Sequence, residues 1–298
     1  MHPELIKLEK IFTPSVLTKI DDPLLARYKI DLWMKRDDLL HPVISGNKWR
    51  KLKYILDHAL SLGSDTLISM GGAYSNHLHV MAYVGKLLGL KTIGYIRGEQ
   101  PDFLNPTLLD IKGWGMELRF LTRAEYRVLR QYKHHRALPD IKLGQYWLPE
   151  GGAQPLALKG VSELLSEIRI PYNTICVPCG TGTTLAGMIN EVPDEVSILG
   201  FAALKNAHFL NDEVAGLLSQ SRNNWHINLD YHFGGFAKIN ADLCAFIEDF
   251  EVKTSIPLES VYTGKMMYAL FDLIKKNYFA PGQCIIALHT GGLQGNRG

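Results

Sequence analysis

The chain is poor in cysteine: four in 298 residues, at Cys176, Cys179, Cys244 and Cys284. So few argue against a secreted disulfide framework. Cys176-Val-Pro-Cys179 has the form of a CxxC, but no second pair follows, so a zinc site would lack half its ligands. The surrounding Thr174-Ile-Cys-Val-Pro reads as a strand, in which residues three apart lie about 10 Å from each other, beyond disulfide reach. A redox pair would need the chain to turn at Pro178. Neither sign of charge dominates, since 32 Lys and Arg face 30 Asp and Glu for a net +2. That balance predicts no general attraction to nucleic acid or to an anionic membrane. No apolar run reaches the length of a membrane span. The opening MHPELIKLEK lacks the apolar segment of a signal peptide, so a cytoplasmic location is the expectation. Internal repeats and low-complexity tracts are also absent.

What remains is the composition of a globular protein, 46% hydrophobic and 21% charged. The length suits two domains or one large α/β domain. Residues 1–44 read as an irregular lead-in with one strand, Asp31-Leu-Trp-Met-Lys-Arg. After it, strand and helix patterns alternate. Thr66-Leu-Ile-Ser-Met, Lys91-Thr-Ile-Gly-Tyr-Ile, Met116-Glu-Leu-Arg-Phe-Leu, Thr174-Ile-Cys-Val-Pro, Ser197-Ile-Leu-Gly-Phe and Cys284-Ile-Ile-Ala-Leu are apolar runs bounded by turn signals. Such alternation predicts parallel sheets with covering helices. Pro149-Glu-Gly-Gly-Ala-Gln-Pro155 is the expected domain boundary. Residues 119–136 carry a run of Arg and Lys with His134 and His135. They read as a solvated amphipathic helix with Tyr126 and Leu129 inward. His77-Leu-His79 is no helical metal pair, because residues two apart point to different faces.

The stretch Ser45-Gly46-Asn47-Lys48-Trp49-Arg50-Lys51 opens a helix whose apolar residues are Leu52, Ile55, Leu56, Ala59 and Leu60. Ser45 or Asn47 can cap it. Lys48 then lies in the first turn, where the helix dipole favours a neutral amine over an ammonium. A neutral amine is what a carbonyl compound needs to form a Schiff base. On these residues alone, Lys48 reads more readily as one of several cations on a solvated helix face, since charge runs at helix starts are common.

Three glycine-rich turns follow strands: Gly71-Gly72-Ala-Tyr-Ser75-Asn76-His77, Gly180-Thr181-Gly182-Thr183-Thr184 and Thr290-Gly291-Gly292. The second sits between strand and helix, where backbone N–H groups and threonine hydroxyls suit a phosphate. It is neither a P-loop nor a full dinucleotide fingerprint. In a parallel sheet, ligands bind beyond the carboxyl ends of the strands. One turn could be punctuation. Three, together with Ser-Gly-Asn-Lys, predict one cleft holding a phosphate-bearing ligand and a lysine. Pyridoxal 5'-phosphate (PLP) answers both, with an aldehyde for the lysine and a phosphate for the loop.

These segments, with Val261-Tyr262-Thr263-Gly264-Lys265 and Leu288-His-Thr-Gly-Gly-Leu-Gln-Gly, resemble the fold type II PLP enzymes. Within them they resemble the 1-aminocyclopropane-1-carboxylate (ACC) deaminase/D-cysteine desulfhydrase family, from Lys35 to the C-terminal glycine turn. The resemblance implies a two-domain α/β fold of the tryptophan synthase β type. Residues 1–50 and 151–298 would form the large PLP-binding domain, and 51–150 the smaller one. It implies Lys48 as the PLP lysine and α-proton carrier, Asn76 on the ring hydroxyl, and Gly180, Thr181, Gly182, Thr183 and Thr184 as the phosphate cup. Thr263 and Thr290 are the candidates near the pyridine nitrogen. Ser75, Asn76, His77 and Tyr262 would face a small amino-acid substrate, with Ser75 and Tyr262 catalytic. Ser75 also suits an N-cap, and Tyr262 suits core packing.

His77 and Thr263 follow the desulfhydrase pattern, whereas ACC deaminases tend to carry Gln and Glu there. A threonine near the ring nitrogen gives a milder electron sink than a carboxylate would, adequate for expelling thiolate. Phe236 stands where the family usually has a second tyrosine. The expected activity is elimination from D-cysteine to pyruvate, H2S and ammonia, with ACC deamination or non-catalytic binding of a PLP-type ligand as alternatives. A nucleotide-binding oxidoreductase is the remaining, weaker one. A homodimer is implied by the family only.

Overall fold

The computed structural model describes residues 1–297. Its strands are β1 (Leu17–Lys19), β2 (Asp31–Arg36), β3 (Thr66–Gly71), β4 (Lys91–Arg97), β5 (Met116–Leu121), β6 (Gln145–Trp147), β7 (Thr174–Cys179), β8 (Ser197–Ala202), β9 (Trp225–Asn228) and β10 (Cys284–His289). Its helices are α1 (Pro3–Glu9), α2 (Pro23–Tyr28), α3 (Asn47–Ser61), α4 (Asn76–Leu88), α5 (Pro106–Gly113), α6 (Arg123–Leu129), α7 (Pro155–Ser166), α8 (Thr183–Ile189), α9 (Phe209–Ala215), α10 (Ala241–Thr254) and α11 (Thr263–Lys275). A six-stranded sheet runs β1-β2-β10-β7-β8-β9, and a four-stranded sheet runs β5-β4-β3-β6. Every pairing is parallel except β1 with β2. No helix among the described residues is long and apolar enough to cross a membrane.

The central strands are buried on both faces, which is why they read as unbroken apolar runs. Period-two alternation divides them. In β7, Ile175, Val177 and Cys179 join the core under α7, α8 and α9, while Cys176 joins the core under α2, α10 and α11. Cys176 and Cys179 are therefore two free thiols on opposite faces of one strand, and the chain does not turn at Pro178. In the smaller sheet Leu67, Ile96 and Met116 face α1, α3, α4 and α5, and Ile68, Met70 and Trp147 face α6. The lead-in is more ordered than its sequence suggests, holding α1, β1 and α2. β1, β6 and β9 span only three or four residues, too short for a period to register.

Helices α3, α7 and α8 stack to join the two sheets. At the first contact a Cβ on Gly160 of α7 would stand 1.9 Å from the Arg50 carbonyl oxygen of α3. Only glycine permits that approach. An ion network, buried at Arg50, Asp37 and Lys35 and open to solvent at Glu167, fixes the same joint. Arg50 donates to both Asp37 oxygens at 2.6 and 2.8 Å and to both Glu167 oxygens at 2.8 Å. Lys35 of β2 donates to Glu167 at 2.6 Å and to the Ser15 carbonyl at 2.7 Å. Burial opposes the Arg50 charge, but Asp37 and then Glu167 more than offset it and hold the guanidinium above its ordinary value. Arg50 and Lys51 are thus not solvated helix cations, for both are buried.

Gly160→Ala should cost about 3 kcal/mol, because the new methyl meets a backbone atom that cannot rotate away. Urea unfolding checks this, and an unchanged midpoint would show that α3 and α7 can separate freely.

Candidate active site

The carboxyl ends of β2, β3, β7 and β10 lead into one cleft between the sheets. The chain leaves β2 at Asp37, and the Asp37 carbonyl accepts the Gly46 N–H at 2.8 Å. Gly46, with φ +70°, is the N-cap of α3 and makes no side-chain cap bond. The helix therefore starts one residue away from either expected cap, Ser45 or Asn47. A Cβ on Gly46 would stand 1.9 Å from the Thr290 carbonyl oxygen, so the exit of β10 lies directly on the start of α3. The Asn47 N–H bonds that same carbonyl at 3.3 Å.

Lys48 is part-buried, and its Nζ donates to Asn47 Oδ1 at 2.7 Å. Asn47 Nδ2 donates in turn to Thr184 Oγ1 at 2.7 Å, linking the lysine to the Gly180–Thr184 loop. Burial lowers the Lys48 amine to about 8, against the opposing pull of the Glu259 carboxylate. The direction agrees with a first-turn lysine, but the main cause is desolvation. One turn on, Lys51 is buried with no hydrogen-bond or ion-pair partner among the described residues. Burial and the Lys48 charge hold it well below the ordinary lysine value.

Thr183 and Thr184 are buried, and Thr181 Oγ1 lies 3.0 Å from Thr183 Oγ1. The amides of residues 180–185 precede the first intrahelical bond of α8, from Ala186 N–H to the Gly182 carbonyl at 2.9 Å. An anion here would meet those amides, the threonine hydroxyls and the unpaired Lys51. A phosphate would supply the counter-charge that Lys51 lacks, so the residues present fit PLP. Gly151 packs on Thr181 and Gly152 on His77, so the expected boundary segment 149–155 is part of the cleft wall.

Ser75 caps α4, its Oγ accepting the Leu78 N–H at 3.2 Å. Asn76 lies against Gly292, and its Oδ1 accepts from Gln294. His77 is buried, with Nε2 2.9 Å from the Ser69 hydroxyl. Since that hydroxyl donates to the Leu148 carbonyl at 2.8 Å, Nε2 carries the hydrogen, and Nδ1 is a buried acceptor without a partner. Burial, then the charges of Lys48 and Lys51, lower the imidazole to about 3, so it is neutral. His79 turns away to Asp110, at 2.9 Å.

The Tyr262 ring lies on Gly180, with Oη 3.1 Å from where a Cβ would be. Burial, then Glu259 and Glu150, raise its phenol well above the ordinary value, so it stays protonated. Phe236 meets it edge-on at 6.1 Å between ring centres. The Thr263 hydroxyl is already engaged, donating to Glu259 Oε1 at 3.0 Å and accepting the Glu259 N–H at 3.2 Å. The Thr290 hydroxyl makes no hydrogen bond among the described residues, and it is the backbone carbonyl of Thr290 that lies against Gly46. Glu259 also accepts the N–H groups of Val261 at 2.7 Å and Tyr262 at 2.9 Å, and so closes the open end of α11.

Asn47, Lys51 and Glu259 are site residues that the sequence reading misses. Lys51 had a signal, lying three residues beyond Lys48 on the same helix face. Glu259 had a weaker one, an acidic residue just ahead of a helix start.

Residues 19–291 match the family described as pyridoxal-phosphate dependent enzyme, and the chain belongs to it. Its cofactor is PLP, and its fold is that of the fold type II PLP enzymes. A Pyrococcus horikoshii protein provisionally named as a 1-aminocyclopropane-1-carboxylate deaminase is 31% identical over 99% of this chain and 96% of its own length. The bifunctional D-cysteine desulfhydrase/1-aminocyclopropane-1-carboxylate deaminase of Arabidopsis thaliana is 29% identical, over 89% of this chain and 73% of that protein. The crystal structure of an ACC deaminase homologue superposes with a TM-score of 0.83 at 28% identity, covering 100% of this chain and 97% of that one.

Lys51→Met should weaken PLP binding to the apoprotein about 10- to 100-fold, the worth of a charge-assisted bond. Fluorescence titration reads it, and an unchanged affinity would remove Lys51 from the phosphate site. The rate of PLP capture by the apoprotein should climb as pH rises through about 8, where Lys48 loses its proton. A flat rate across that range would place the reactive amine elsewhere.

Proposed function

We propose that the protein is a PLP-dependent lyase acting on a small amino acid, with D-cysteine as the substrate class and α,β-elimination as the reaction. The observation that carries this is the Lys48 amine, lowered by burial and tied through Asn47 to the phosphate-ready loop, with the protonated Tyr262 phenol on the same loop. Lys48 is the cofactor's covalent anchor. Lys51 and residues 180–184 hold its phosphate. Asn76 meets the ring hydroxyl. Of the two threonines, Thr290 is the better partner for the ring nitrogen, because the Thr263 hydroxyl is engaged with Glu259. When bound, PLP supplies an aldehyde for amines and an electron-withdrawing ring that accepts the electron pair released at the substrate α-carbon.

The rest falls to the chain. Asn76 and the neutral His77 line the wall that receives the substrate. With the cofactor bound, the Lys48 amine would be the group that takes the α-proton. The Cβ–S bond then breaks and sulfur leaves as thiolate, with Tyr262 or water supplying its proton. The aminoacrylate released hydrolyses to pyruvate and ammonia.

ACC deamination to 2-oxobutanoate and ammonia is the second reading. It is favoured by the names of the Pyrococcus and Arabidopsis relatives. ACC has no α-proton, so Ser75 or Tyr262 would act on the ring instead. The exposed side chains of Ile6, Ile11, Val16 and Leu39 support a homodimer, which sedimentation would test.

Holoenzyme offered D-cysteine should release sulfide and pyruvate in equal amounts, and Lys48→Ala should do neither and show no visible band of lysine-bound cofactor. Tyr262→Phe should lower turnover about 100-fold if the phenol protonates the leaving group. Release of 2-oxobutanoate from ACC alone would favour the second reading. A loaded protein that turns over no amino acid in a panel of both hands would overturn both.

A further inference from the structure

Four side chains recur along one face of α11: Tyr262 at its N-cap, Lys265, Tyr268 and Asp272. The loop 231–238 lies along that face. Tyr231 donates its hydroxyl to Asp272 at 2.6 Å. Phe233 meets Tyr268 edge-on at 5.0 Å. Phe236 meets Tyr262 at 6.1 Å. Between these contacts, Lys265 donates to the His232 carbonyl at 2.9 Å and to the Gly235 carbonyl at 2.8 Å.

Those two carbonyls have a particular place. The His232 carbonyl also accepts the Gly235 N–H at 2.9 Å, and the Gly235 carbonyl accepts the Lys238 N–H at 3.1 Å. They open two successive tight turns that share Gly235, and Phe236 is the first residue inside the second. The backbone needs a brace. Phe233, Gly234, Gly235 and Ala237 all have positive φ, and Phe233 and Ala237 are not glycine. Lys265 is 2% exposed and has no acidic partner among the described residues. A methionine of similar size would pack there without desolvating an amine. A lysine kept in that position therefore has the two carbonyls as its task.

We propose that Lys265 is a positioning residue that locks loop 231–238 onto α11, so that Phe236 stands as a fixed wall beside Tyr262 and selects which substrate side chain the cleft accepts. This rests on the reading of the cleft as an amino-acid site. Lys265 touches neither substrate nor cofactor. It acts through the loop, and the loop acts through an apolar ring that adds shape and no chemistry.

The test pairs substrate kinetics with a readout that needs no turnover. Phe236 is 44% exposed, so chymotrypsin can cut after it once the loop opens. In Lys265→Met that cut should come about tenfold faster, with or without PLP, and Lys265→Arg, which keeps the N–H donors, should restore most of the resistance. In the holoenzyme Lys265→Met should raise KM about tenfold and change kcat less than about threefold, and its visible cofactor absorbance should be retained. Phe236→Ala should raise KM similarly, and the double variant should be no worse than Lys265→Met alone, because both remove the same wall. Multiplying KM effects, a loss confined to kcat, or unchanged cleavage would each overturn the proposal. If Lys265→Met does not fold, Lys265→Gln, whose shorter side chain cannot reach both carbonyls, carries the same cycle with Phe236→Ala. Failure of every amino acid as substrate would sink the functional reading, while the cleavage result would still decide the role of Lys265.

Discussion

The Arg50 guanidinium, held between Asp37 and Glu167, is the contact on which the rest of the site depends. Asp37 stands at the exit of β2, Arg50 two residues beyond Lys48, and Glu167 at the end of α7. The network thus fixes the first turn of α3 to the large sheet from one side. The Thr290 carbonyl fixes it from the other, at a distance only Gly46 allows. Breaking one partner of a buried pair leaves an unpaired charge, at a cost of about 3–5 kcal/mol. On the proposed reading, the lysine that anchors the cofactor is therefore carried by a helix start with little freedom to move. Such preorganisation is what a covalent anchor needs, since an amine about 1 Å out of place loses much of its reactivity.

Charge in the cleft is arranged as deliberately as shape. Lys48 and Lys51 lie one turn apart, and burial and then the Lys48 charge hold the Lys51 amine well below the ordinary lysine value. Glu259, the carboxylate whose field acts on Lys48, is occupied with the N–H groups and hydroxyl at the start of α11. It steadies Lys48 through its field without pairing with it. The cleft is left short of negative charge at the Thr181–Thr184 loop. A phosphate corrects that shortage locally, so cofactor binding and the charge state of Lys51 are coupled. His77 stays neutral chiefly because it is buried, and the charges of Lys48 and Lys51 beside it act in the same direction.

Much of this was legible in the sequence, and the part that was not has a physical reason. Lys48, the three glycine turns and the parallel sheets could be read because each leaves a local mark: a period, a turn, a cap. The convergence of the turns followed from the rule for strand ends, and the contacts from Gly46 to Thr290 and from Asn76 to Gly292 bear out the meeting of those segments. Lys51 and Arg50 were misread as solvated. Charge in a sequence says nothing about burial, and their counter-charges lie far along the chain, Glu167 in one case and a missing anion in the other. The segment at Gly151 and Gly152 reads in the sequence as a domain boundary, and its packing against Thr181 and His77 left no mark there, because glycines that admit a neighbour look the same as glycines that admit a turn. The hydrogen bond from the Thr263 hydroxyl to Glu259, four residues earlier, likewise left no mark in the sequence.

The substrate question narrows to hydroxyls. Tyr262 is held protonated by burial and by two carboxylates, and its neighbour in the wall, Phe236, offers none. Ser75 spends its lone pair on the Leu78 N–H and keeps its proton free. On the proposed reading, one phenol and one serine must do the acid–base work at the substrate side chain. Thiolate asks little of them, because it departs as a stable anion and can be protonated in passing. Opening a strained carbon ring asks more, since the carbon that leaves must be attacked or protonated in place and a second phenol would help. A wall that supplies shape at Phe236 and acidity only at Tyr262 is therefore better matched to a substrate whose leaving group needs the least assistance.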